Sequence, residues 1–153
     1  MRLSVPVLPR WARWATVAGV ASVIFYTSIV TVPPETVLDR TNPGGLDSFQ
    51  LRLDKWRHFL AYAAFGYALA YATADWRLTI RRRAAFVLGV AVLYGVGIEC
   101  GQSLVPERYF SVGDAYANAL GALLVAPWYL IRPSLVFVPL RTWLSAIAER
   151  RRG

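Results

Sequence analysis

A carboxyl group, Glu99, stands near the end of an otherwise apolar run over residues 84–105, and a second, Asp114, opens the next apolar run over 114–131. Few folds are open to a chain whose ionisable groups interrupt bilayer-length segments. Such groups are costly in hydrocarbon, and by default they mark a site. The stretch 99–121 has the form E-x2-Q-x5-R-x5-D-x3-N-x2-G. Glu99 and Gln102 are three residues apart, and Asp114 and Asn118 are four apart, so each pair shares one helix face. Pro106 ends one helix, Gly113 and Asp114 begin the next, and Arg108 lies in the turn between them. A helical hairpin with polar inner walls is predicted.

Upstream, Asp54, Lys55, Trp56, Arg57, His58 and Phe59, followed by Tyr62, open another apolar run. The ordered combination of D-K-x2-H, E-x2-Q, R-x5-D and N-x2-G resembles the VanZ-like family of small membrane proteins, over residues 54–121. The resemblance implies a polytopic membrane fold that also includes the first apolar segment. It further implies an envelope function tied to resistance against teicoplanin-type lipoglycopeptides, whose acyl chain lies in the outer leaflet.

The rest of the chain agrees with a membrane setting. Its hydrophobic fraction of 56% and mean hydropathy of +0.40 are high for a soluble protein. The net charge of +8 does not point to nucleic acid, because the arginines sit in short clusters beside apolar runs, as orientation signals do. Arg2, Arg10 and Arg13 precede an apolar run over 14–32 that Pro33 and Pro34 close. No small-residue cleavage site follows that run, so a retained helix is expected rather than a signal peptide. Residues 33–49 read as an exposed loop, 55–74 as a second helix, and Arg77, Arg81, Arg82 and Arg83 as its membrane exit. Gly97 and Gly101 form a small-residue step that can approach Ala117 and Gly121.

The expected fold is therefore all-α: four transmembrane helices in a domain over 1–131, followed by a basic tail over 132–153. In that tail Leu140, Trp143, Leu144 and Ile147 recur at helical spacing, which predicts an interfacial amphipathic helix. The basic clusters put both termini on the cytoplasmic side of the plasma membrane.

Helix ends then assign depths. Glu99 lies about 10 Å below the outer end of its helix, and Asn118 about 6 Å inside the start of its own, at 1.5 Å per residue. His58 enters from the same side. The predicted ligand-binding cluster is His58, Glu99, Gln102, Asp114 and Asn118, with Arg108 and Lys55 at its mouth. Bland alternatives stand beside each assignment. Asp114 fits a helix cap, Asn118 and Gln102 fit interhelical hydrogen bonds, and His58 fits an interfacial belt with Trp56 and Phe59.

Two functions suit such a cluster, beside a scaffold role in which its polar residues only fix helix packing. One is non-enzymatic binding of a membrane lipid or lipid-linked headgroup, with Arg108 and Lys55 attracting phosphate. The other is an intramembrane enzyme using Glu99 and Asp114 as a catalytic pair, against which Ser103 and Ser111 lack a recognisable base. No cofactor or metal is expected. A single His excludes the usual clustered His and Cys sites, and a carboxylate site for a hard cation has no support in the sequence. Lone Cys100 reads as a packing residue.

Overall fold

The structure, a computed structural model, describes residues 3–30, 48–106 and 111–150. Four helical stretches alternate in direction. Helix α1 (Arg10–Phe25) continues as a π-helical turn over Tyr26–Val30. Helix α2 is Ser48–Ala72, α3 is Ile80–Gln102, α4 is Val112–Leu123, and the short α5 is Ala126–Ile131. The predicted loop over 33–49 lies almost wholly outside the described residues.

The single fourth helix expected over 114–131 is broken at Leu124 and Val125. Pro127, in the first turn of α5, has no N–H for the ladder, and its ring would meet the carbonyl of residue 123. Helix α3 likewise stops at Gln102 rather than 105. Val105 precedes Pro106 and is disfavoured in helical conformation, so the last residues close as tight turns, with Val105 N–H donating to Gln102 O at 2.9 Å.

The chain is not wholly α-helical. Strand β1 (Leu3–Val7) pairs in parallel with β2 (Leu135–Pro139), Leu3 opposite Leu135 and Val5 opposite Phe137. The tail residues 135–138 are Leu-Val-Phe-Val, which favour a strand, and a two-stranded ribbon tolerates Pro6 and Pro139 because both strands are edges. Helix α6 (Leu140–Arg150) follows and packs on the ribbon. Leu140, Trp143 and Ile147 are half-buried there, whereas Leu144 stays exposed.

The core lies between α2 and its three partners, centred on Tyr62, Phe65, Leu69, Val87, Ala91 and Val125. Backbone approach depends on glycine at a few contacts. A Cβ on Gly66 would lie 3.3 Å from the Ala122 carbonyl, and one on Gly121 would overlap the carbonyl of Phe59. Gly121→Ala is therefore expected to force α4 off α2, costing about 1–3 kcal/mol as overpacking does. Thermal unfolding in detergent measures it. The predicted Gly97–Gly101 step makes no such approach to α4, since Gly97 faces open space and Gly101 meets Ile29 of the π turn.

One end of the bundle is tied by arginines. Arg13, buried, donates to the carbonyls of Tyr71 and Ala72 and pairs with Asp75, while Arg83 donates to Ala74, Trp76 and Leu78. These groups sit at the C-terminus of α2, where bare carbonyls and the negative end of the helix dipole favour cations. The Arg13 guanidinium holds the Asp75 carboxyl at about 2, below its ordinary 3.8. A depressed folded-state value stabilises fully above pH 3.8 and loses that contribution as pH falls toward 2. Asp75→Asn should thus flatten the acid limb of the unfolding midpoint between those values, read by circular dichroism in detergent.

Helices α1 with its π turn and α3 are long and apolar enough to cross a membrane, with mean hydropathies of 1.3 and 1.8. Only 17% and 28% of those windows is buried. The core helix of a soluble protein would be mostly covered, whereas these two leave most of their apolar length exposed.

Candidate functional site

The end of the bundle opposite the arginines brings together side chains from three helices. On α2, Lys55, His58 and Tyr62 follow one another a turn apart. Gly95 and Glu99 do so on α3, and Asp114 and Asn118 on α4. Glu99 is fully buried, as are Tyr62 and Asn118. Asp114 is 14% and Lys55 50% exposed, so the cluster runs from a buried floor to an open mouth.

The start of α4 shows how the sequence builds this. Ser111 is the N-cap, and its Oγ accepts from Asp114 N at 3.2 Å. In a capping box the acidic residue three positions on would reach back to the cap's own N–H. Here that N–H donates to Glu99 Oε2 at 3.2 Å instead, from a different helix. Asp114 is thereby released to pair with Lys55 at 3.1 Å. Lys55 passes over Gly113, where a Cβ would lie 2.6 Å from its Nζ.

Glu99 Oε1 and Asn118 Nδ2 are buried without hydrogen-bond partners, and so is the Tyr62 hydroxyl. Each such group costs about 1–3 kcal/mol unless something pairs with it. His58 Nδ1 lies 3.1 Å from Asn118 Oδ1. With the amide oxygen assigned there, Nδ1 carries the proton and Nε2 the lone pair. Gly95 gives this amide its room, since a Cβ would come within 3.1 Å of Tyr62 and 3.3 Å of Asn118 Cβ.

Of the sequence-predicted residues, His58, Glu99, Asp114, Asn118 and Lys55 converge, and Arg108 lies outside the described residues. Gln102 points elsewhere, its Nε2 donating to Ser28 O of the π turn at 3.0 Å. Three residues advance about 300° round a helix, so Gln102 leans about 60° from Glu99, toward α1. Asp114 is not the cap of α4; Ser111 is. Cys100 is exposed rather than packed.

Sequence reasoning left Tyr62, Ser111 and Gly95 out of the cluster. Tyr62 was legible as the next turn after His58, and Ser111 as the start of an S-x2-D cap. Nothing local marks Gly95. The one possible ligand set among the described residues is His58, Glu99 and Asp114, whose ligand atoms all lie within 4.8 Å of one another.

The model of a family described as VanZ/LLP1 matches residues 10–132. No curated protein and no solved structure matches the chain.

Proposed function

The chain belongs to the VanZ/LLP1 family, and on that premise we propose that it is a multi-pass plasma-membrane protein that binds a lipid-linked headgroup in the outer leaflet without catalysing a reaction. The observation that carries this reading is the unpaired acceptor and donor on its buried floor, Glu99 Oε1 and Asn118 Nδ2. A buried polar pair of that kind is stabilised by a ligand that supplies hydroxyl, amide or phosphate groups. Lys55, half exposed at the mouth, suits the phosphate. Beside α1 an open apolar groove of about 500 Å³, lined by Ala21, Phe25, Tyr26, Val30 and Tyr94, suits an acyl chain.

In this reading α1 to α4, the last extended by α5, span the bilayer. Both termini are cytoplasmic, with the arginine-tied end inside and the polar cluster outside. Helix α6 then lies at the inner interface.

The enzymatic alternative lacks an activated nucleophile among the described residues. Ser103 Oγ donates to the Cys100 carbonyl at 2.7 Å, and Ser111 Oγ is engaged as a cap. Neither hydroxyl donates to a base among the described residues.

Expression in a Gram-positive host tests the reading, comparing teicoplanin with vancomycin at matched membrane abundance. Protection against teicoplanin alone is expected from a lipid-selective binder. Equal protection against both drugs, or none from a well-inserted protein, would remove the resistance link.

A further inference from the structure

We propose that His58, Glu99 and Asp114 hold a divalent cation, which bridges the protein to the phosphate of the headgroup. The cation site stands on geometry alone, while its bridging role rests on the proposed function above.

Three donors from three different helices have their ligand atoms within 4.8 Å of one another. Ligand atoms facing each other across one calcium ion are about 5 Å apart and adjacent ones about 3.5 Å, so three atoms within 4.8 Å of one another can close on one ion by contracting. The donor set is one imidazole and two carboxylates. That mixture suits a borderline or hard ion such as Mn²⁺, with Zn²⁺ as competitor.

The second observation is the state of Glu99. It is fully buried, Ser111 N–H takes Oε2, and Oε1 has no partner. A cation would satisfy Oε1, which takes no hydrogen bond. Hydrogen-bond partners orient the ligands as the outer shell of a metal site does. Ser111 N–H fixes Glu99, Asn118 Oδ1 faces His58 Nδ1, and Lys55 holds Oδ1 of Asp114.

Charge gives the same answer. Two carboxylates face one ammonium among the described residues, so Lys55 draws phosphate to a mouth whose summed charge, with both carboxylates ionised, is still negative. A divalent ion reverses that sign and, with three protein ligands, keeps open positions for phosphate oxygens.

The test is Mn²⁺ binding to the purified full chain in detergent after chelator treatment, read as loss of the free-ion electron paramagnetic resonance signal. About one ion per chain is expected. His58→Ala and Glu99→Gln should each weaken binding by about tenfold or more, as changes at metal sites do. Cys100→Ser, on the exposed face of α3, should bind like the wild type. No saturable binding to the folded wild type, or unchanged binding in His58→Ala and Glu99→Gln, would overturn the site. Should those variants fail to fold, the wild-type melting temperature decides. It must rise with Mn²⁺ and saturate, and an unmoved midpoint overturns the proposal.

Lipid retained on the protein before and after chelation separates the two layers. Loss on chelation with recovery on Mn²⁺ supports the bridge. Retention that ignores chelation overturns the bridge and leaves the headgroup reading intact, whereas Mn²⁺ binding by a protein that retains no lipid leaves the ion and removes the headgroup.

Discussion

Glu99→Gln is expected to abolish teicoplanin protection in the expressing host while leaving the bundle folded. Glutamine has nearly the shape of glutamate, and its carbonyl oxygen can still accept from Ser111 N–H. Folding stability should therefore change by about 1 kcal/mol or less, the worth of one ordinary hydrogen bond. The other position changes kind. Where Oε1 is an unpaired acceptor, the variant presents an NH₂ donor to a ligand that needed an acceptor or a cation. Losing a hydrogen bond to a charged group costs about 1.5–3 kcal/mol, or roughly 10- to 150-fold in affinity. Susceptibility at matched abundance reads the effect, with detergent unfolding as the folding control. If the carboxyl served only helix packing, the variant would protect as well as the wild type. Glu99→Leu supplies the contrast: it leaves Ser111 N–H without its acceptor, so stability should fall as well as function.

Arg13→Ala should give the largest loss of stability, about 2–4 kcal/mol, with no direct effect on the opposite end. Its guanidinium is 2% exposed and serves two carbonyls at the end of α2 as well as Asp75. Removing it takes away the Arg13 donor to the Ala72 carbonyl, leaves Tyr71 O only the Ala74 N–H, and opens a cavity between α1 and α2. The cost stays below that of a fully buried ion pair because Asp75 is 28% exposed and keeps Arg10 at 2.7 Å. Arg10→Ala, at an exposed position, should cost under about 1 kcal/mol. Arg13→Lys should rescue little, since one ammonium cannot reproduce the planar fork that spans both carbonyls and the carboxylate. Unfolding midpoints in detergent rank the three, and equal midpoints for Arg10→Ala and Arg13→Ala would show that the buried tie contributes nothing.

The polar cluster was legible because its members break apolar runs, and position along each helix was enough to bring His58, Glu99, Asp114 and Asn118 to one level. Facing was harder to read. Gln102 shares a broad face with Glu99 but turns to the Ser28 carbonyl, which is presented by a π turn that no residue pattern announces. The parallel ribbon escaped for a similar reason, since pairing between Leu3 and Leu135 joins the two ends of the chain and leaves no local signal. Pro127 was a plain break that the apolar run concealed. The arginines read as orientation signals, and two of them, Arg13 and Arg83, are also buried structural ties. Close approach at Gly95 and Gly121 depends on which neighbour arrives: the small-residue pattern paired Gly121 with Gly97 and Gly101, whereas it meets the Phe59 carbonyl, and Gly95 makes room for the Tyr62 and Asn118 side chains.

The central claim is that the buried cluster binds a phosphate-bearing, lipid-linked headgroup. Native mass spectrometry of the protein purified in mild detergent tests it most directly, comparing wild type with Asn118→Leu, a near-isosteric change that removes the unpaired donor together with the Oδ1 that faces His58 and keeps the core filled. A retained phosphate-bearing lipid on the wild type and its loss from the folded variant is the predicted result. The same lipid on both proteins, or none on either, would contradict the account.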